Sequence, residues 1–116
     1  MRDAALQIAG ALAVLAGLVH GVLGETKVFA HAQIEPSWAR RLVRIVWHNG
    51  VIAWIGGGVL LIATPSFASE AARHWLIAVL AVVYGSAAIG NAVASRGRHF
   101  GWMMLSVVVV LALAGL

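Results

Sequence analysis

Two polar stretches of this chain combine the residue types that bind ligands or carry protons. GLVHGVLGETK (17–27) adds a histidine and a glutamate to the end of an apolar run, and VWHNG (46–50) adds a histidine and an asparagine to the start of the next. Imidazole can relay protons or ligate a metal or haem iron, and a carboxylate with two imidazoles suits zinc or another divalent cation. An asparagine from a third run completes the candidate set. The predicted binding residues are His20, Glu25, His48, Asn49 and Asn91.

Several classes of function find no support in the sequence. There is no cysteine, which removes thiol chemistry and thiolate metal sites. The sequence has no HExxH motif and no visible nucleophile–base pair, so an enzyme is the least favoured class. The formal charge of +4 comes from only 10% charged residues, and no basic stripe with interleaved aromatic residues occurs. We therefore expect no nucleic-acid partner.

The rest of the chain is apolar enough to indicate a membrane protein. Its 116 residues are 62% hydrophobic, and its mean hydropathy is +0.95. A membrane-spanning helix needs about 20 apolar residues. Four runs of suitable length occur, at 4–23, 45–64, 75–93 and 100–116. The sequence thus predicts an all-α fold, a single domain over 1–116 that forms an antiparallel bundle of four transmembrane helices in the lipid bilayer.

The basic residues between the apolar runs predict an orientation. Six of the eight lysines and arginines lie in the first and third loops, namely Lys27, Arg40, Arg41, Arg44, Arg96 and Arg98. The other two, Arg2 and Arg73, lie on the opposite side. Because positively charged loops stay in the cytoplasm, we expect loops 1 and 3 to face the cytoplasm and both termini to lie outside the plasma (inner) membrane. The arginines of loop 1 would then contact anionic lipid headgroups.

The candidate residues concentrate at one membrane depth. Since short loops join antiparallel neighbours, the candidates and His99 fall in one layer near loops 1 and 3. The opposite side holds almost nothing comparable, only Gln7, Glu70 and His74. At about 100° per residue, Lys27 returns to the face of His20, whereas Glu25 lies about 140° away from it. On a straight helix, the side chains of His20 and Glu25 therefore cannot both reach the same ligand. Glu25 could instead serve a site between three helices, or bond Arg44 or Lys27.

Glycines on the predicted helices indicate close packing. Small residues let helices approach each other closely in lipid. The predicted packing positions are Gly17, Gly21, Gly24 and Gly57. Four short helices can hardly enclose a polar path alone, so we also expect these glycine faces to pair copies of the chain in a homo-oligomer.

The pattern HG…GE…WHNG resembles small bacterial membrane proteins that carry no assigned function. Three hypotheses remain open. The first is an oligomeric transporter or channel-like protein whose polar layer binds a proton, a cation or a small polar solute. The second is a haem- or metal-binding membrane protein with His20 and His48, and for a divalent metal also Glu25, as ligands. The third is a non-catalytic component that binds lipid or a partner protein.

Overall fold

The apolar runs form four α-helices in the computed structural model, which describes residues 1–116 and contains no β-strand. The helices are α1 (Arg2–Leu23), α2 (Ser37–Ala63), α3 (Glu70–Ser95) and α4 (Gly101–Ala114). The first three, with the turns that extend them, are long and apolar enough to cross a membrane. The all-α prediction is thus confirmed. The fourth helix has only 14 residues, and at about 1.5 Å per residue it is shorter than a bilayer core of about 30 Å.

The residues just before α2 and α3 determine where these helices begin. α2 begins directly after Pro36, well before residue 45, because the arginine-rich segment that follows is composed of good helix formers. Ser69 caps α3, and its Oγ accepts a hydrogen bond from the backbone N–H of Ala72 at 3.2 Å. α3 consequently begins at Glu70 instead of at residue 75.

Neighbouring helices run in opposite directions. α1 packs against α2 and α4, and α3 packs against α4, whereas α2 and α3 touch at few points. Gly10 of α1 lies against Gly58 of α2, and Gly24 lies against Trp47, so the numbering rises along one helix as it falls along the other. One core joins all four helices, and its largest fully buried members are Tyr84, Leu6, Leu61, Ile77, Leu105 and Val108.

A glycine stripe brings α1 and α2 into close contact. A Cβ on Gly10 would overlap the carbonyl oxygen of Gly58, and one on Gly17 would lie 2.8 Å from the side chain of Ile55. A Cβ on Gly21 would lie 3.3 Å from Val51. The predicted packing face of α1 is therefore occupied by α2 of the same chain. Any pairing between copies would have to use another surface.

Gly57 supports the one deep contact between α2 and α3. The hydroxyl of Tyr84 donates a 2.6 Å hydrogen bond to the carbonyl oxygen of Trp54. A Cβ on Gly57 would lie only 2.5 Å from that hydroxyl. The absence of a side chain at Gly57 thus makes room for a fully buried tyrosine, and this contact fixes Trp54 in place.

The end of the bundle that holds residues 1–3, 64–70 and 115–116, here called the terminal end, carries an ion-pair network. Arg73 is largely buried and pairs with Asp3 at 2.9 Å and with Glu70 at 3.8 Å. Arg2 contacts Glu70 at 3.4 Å. Glu70, Arg2 and Arg73 were expected on this side, but their joining into one network with Asp3 was not. Arg2 and Asp3 belong to α1 and the other two charges to α3, so only the packing of these two helix ends brings the two pairs together.

Candidate functional site

The opposite end, here called the loop end, holds residues 24–36 and 96–100. Its central feature is an indole held against a glycine. Trp47 stacks on the ring of His20 with centroids 4.1 Å apart and planes 8° apart, and its Nε1–H donates to the carbonyl oxygen of His20 at 3.0 Å. A Cβ on Gly24 would overlap the Nε1 of that indole. Trp54 contacts the same imidazole at 4.4 Å. The position of His20 is therefore set by two tryptophans of α2.

Glu25 belongs to a separate polar cluster at this end. Arg44 donates from Nε and Nη2 to the two carboxylate oxygens of Glu25 at 2.8 Å each. This bidentate arrangement is the strong form of an arginine–carboxylate pair. His48 Nε2 donates to Oε1 of the same carboxylate at 2.6 Å. All three side chains are between one third and about half exposed. Both oxygens of Glu25 are thus already used by partners within the chain.

A π-helical turn explains how Glu25 reaches α2. Residues Gly24–Val28 continue α1 with this wider turn, which is rare and often found at functional sites. Arg40 holds the end of the turn, donating to the carbonyl oxygens of Phe29 and Ala32, the latter at 2.9 Å. Its guanidinium also lies 5.9 Å from the centroid of the Phe29 ring. Arg40 and Arg44 therefore bond within the chain. The bond between Glu25 and Arg44 is one of the alternatives that the sequence left open.

A cavity opens at the loop end between α1 with its π-helical turn, α2, α3 and the loop before α4. It has a volume of about 410 Å³, and we call it the loop-end cleft. Its polar and aromatic lining consists of His20, Lys27, Trp47, Asn91, Ser95 and His99. A smaller cavity of about 30 Å³ adjoins it deeper in the bundle and shares His20, Asn91 and His99. The walls of the smaller cavity are mostly apolar and aromatic. The site therefore has a polar opening and an apolar interior.

Two side chains of the cleft have distinctive hydrogen bonding. The Oδ1 of Asn91 is buried and has no hydrogen-bond partner, which is uncommon because buried polar groups are nearly always paired. The Nδ1 of His99 accepts a hydrogen bond from the backbone N–H of Gly101 at 3.0 Å. The neutral ring of His99 therefore carries its proton on Nε2. The cleft thus offers one unused acceptor and a ring whose proton position is set by the backbone.

The structure divides the predicted residues between two places. His20 and Asn91 line the loop-end cleft, whereas His48 and Glu25 form the exposed cluster with their arginine partner. Asn49 is exposed and lines neither cavity.

The imidazoles of His20 and His48 share no hydrogen bond and no ring contact, since His20 contacts tryptophans and His48 contacts Glu25. No three or more His, Asp or Glu side chains are grouped so that they could hold a metal ion. Ligation of haem or a divalent metal by His20, His48 and Glu25 stays a prediction.

Sequence reasoning gave too little weight to three residues of the cleft. His99 belongs to the predicted polar layer but not to the predicted site residues, and Trp47 belongs to neither. Lys27 was assigned to orientation, although its spacing of seven from His20 placed both on one face. The spacing could have predicted that Lys27 lines the same site as His20. No sequence pattern predicted the role of Trp47, because that role depends on the missing side chain at Gly24.

Comparison of the chain with protein-family models, with curated proteins and with solved structures found no match.

Proposed function

We propose that this chain is an integral membrane protein that binds a small polar solute in the loop-end cleft, with loops 1 and 3 in the cytoplasm. The outer surface of the bundle supports a lipid environment. Large apolar side chains are exposed along every helix, among them Val22, Ile52, Val82 and Val110. In water such a surface would be a large unfavourable apolar patch, whereas in lipid it is the expected exterior.

The observation that carries the proposal is the cleft itself. Ligand sites are typically concave, of about 300–1,000 Å³, mostly apolar, with a few polar groups that fix orientation. The loop-end cleft has a volume of about 410 Å³ and gathers His20 of α1, Asn91 of α3 and His99 of the loop before α4 around one space. The buried, unpaired oxygen of Asn91 is the kind of group that a bound solute satisfies.

The structure offers more support for binding of a solute in the loop-end cleft than for passage of that solute through the bundle. Between the smaller cavity and the terminal end, the bundle interior is filled by buried apolar residues that include Ala13, Leu105, Val108 and Ala112. A transport cycle, which the sequence led us to expect, would require this layer to open or a second copy to complete the path. The cleft would then be the loading site on the cytoplasmic side.

Single cysteines test both the cleft and its side of the membrane, since the chain has none of its own. Leu23→Cys and Ala94→Cys place a thiol in the cleft wall, and their sequence neighbours Val22→Cys and Val93→Cys place one on the exposed apolar surface at nearly the same depth. A membrane-impermeant maleimide needs water to reach and ionise the thiol. We expect the two cleft positions to react rapidly from the cytoplasmic side and the two neighbours to react slowly.

Ala71→Cys, at the exposed start of α3, serves as the control for sidedness because it should react only from the opposite side. Equal rates at cleft and neighbour positions would contradict a water-filled cleft. Reaction of Ala94→Cys and Ala71→Cys from the reversed sides would overturn the orientation.

A further inference from the structure

We propose that the solute taken by the loop-end cleft is a small carboxylate that carries an apolar or aromatic group. This inference rests on the proposed function and goes further by naming the charge and the shape of the ligand. Of the three ligands expected for the polar layer, namely a proton, a cation or a small polar solute, it keeps the third. Three features of the cleft support it, namely its charge, its hydrogen-bond donors and its apolar walls.

The charges around the cleft favour an anion. Lys27 is the one fully charged side chain in its lining, and no aspartate or glutamate lines either cavity. The nearest acid along α1, Glu25, is neutralised by the paired guanidinium of Arg44 and bonded by His48. A cation entering the cleft would find no counter-ion, whereas a single negative charge would find the ammonium of Lys27. One lysine also matches a monovalent carboxylate better than a doubly charged phosphate.

The neutral polar groups of the cleft supply donors for carboxylate oxygens. Because the backbone of Gly101 donates to Nδ1 of His99, the remaining ring proton lies on Nε2 and is available to a ligand. The Oγ of Ser95 accepts from the backbone N–H of His99 at 3.3 Å, which leaves its own hydroxyl proton free to donate. A carboxylate accepts hydrogen bonds only, so it matches the donors of His99 and Ser95. It offers no donor to the Oδ1 of Asn91, which needs a separate donor from a water molecule or from the other group of the ligand.

The walls of the cleft favour an apolar group on the same ligand. Leu23, Val28, Trp47 and Ala94 line the cleft beside its polar groups. The adjoining cavity of about 30 Å³ is too small for a ring, so the ring of a ligand would lie in the cleft itself. Aromatic rings pack well against an indole by stacked or edge-on contacts. A ligand with its carboxylate at Lys27 and its ring against these walls would use both the polar and the apolar lining.

Three probes of one shape and different charge test the proposal, namely benzoate, benzamide and benzylamine. Their binding would be measured by calorimetry on the full chain in lipid nanodiscs at neutral pH, with empty nanodiscs as the blank. We expect benzoate to bind most tightly and benzylamine least. Lys27→Gln should weaken benzoate binding about fivefold, the effect of one partly exposed ion pair, and leave benzamide unchanged. Lys27→Arg should restore the preference for benzoate.

Arg41→Gln is the matched control, because it removes the same charge from an exposed position at the loop end outside the cleft. Equal weakening by Lys27→Gln and Arg41→Gln, or equal binding of benzoate and benzamide, would overturn the carboxylate assignment. If benzamide or benzylamine bound best and Asn91→Leu abolished that binding, the cleft would stand as a solute site with a different ligand class. If no probe bound, the carboxylate assignment would fail, and cysteine labelling would decide separately whether the cleft is open to water.

Discussion

The close fit between Gly24 and Trp47 makes Gly24→Ala the most informative single substitution. The new methyl group would overlap the indole Nε1 and lie 2.8 Å from both Cδ1 and Cε2. The ring cannot shift without losing its 3.0 Å hydrogen bond to the His20 carbonyl and its stacking on the His20 imidazole. The substitution should therefore loosen both α1–α2 packing and the wall of the loop-end cleft.

The expected size of the effect follows from these contacts. Overpacking a tight site costs about 1–3 kcal/mol. Displacing the indole instead would lose a hydrogen bond of about 0.5–1.5 kcal/mol and ring stacking of about 0.5–1.5 kcal/mol. The two routes are alternatives of similar cost, so the loss in the free energy of unfolding should be about 1–3 kcal/mol, or roughly 5- to 150-fold in the folding equilibrium.

Two other glycines provide matched controls. A Cβ on Gly21 would meet the two methyl groups of Val51 at 3.3 and 3.5 Å, a much looser fit than at Gly24, and a Cβ on Gly50 would meet nothing within 4 Å. Gly21→Ala should be nearly neutral, and Gly50→Ala should stabilise α2 by up to about 1 kcal/mol through helix propensity.

Unfolding in mixed micelles with increasing SDS, followed by far-UV circular dichroism, would rank the variants. Combining Gly24→Ala with Trp47→Phe removes the nitrogen that the new methyl group meets, and it should cost less than the two single losses added together. If Gly24→Ala were as stable as Gly21→Ala, the proposed fit of the indole against Gly24 would be refuted.

Three further predictions concern other contacts. Glu25→Gln should lower stability slightly, and the difference from wild type should shrink at high salt, because the ion pair is partly exposed; a salt-independent difference in SDS unfolding would contradict this. Gly57→Ala and Tyr84→Phe should be non-additive by about 1 kcal/mol, since removing the hydroxyl relieves the 2.5 Å clash; additive unfolding energies in a double-mutant cycle would argue against that contact. Asp3→Ala should destabilise the bundle by about 1–3 kcal/mol because it removes a hydrogen bond to the buried Arg73 guanidinium, and a neutral result in thermal unfolding would show that water replaces the carboxylate.

The candidate site shows where sequence reasoning succeeds and where it stops. The residues His20, Asn91 and His99 were placed at one depth because depth follows from helix length and direction, and all three line the cleft. Which of them face one another depends on rotation about each helix axis. That rotation changes by about 100° for each residue of shift. A small packing difference therefore decides whether His48 meets His20 or, as here, Glu25.

The sequence by itself determined the number of helices, most of their ends and their apolar character, since these depend on local composition, proline positions and caps. The tertiary structure alone decided the rest. It turned the glycine stripe of α1 toward α2, widened the chain into a π-helical turn after Gly24, and gathered Arg73 and Asp3 at the terminal end. These outcomes depend on contacts between residues distant in sequence, and such contacts form only when side-chain shapes on different helices fit together.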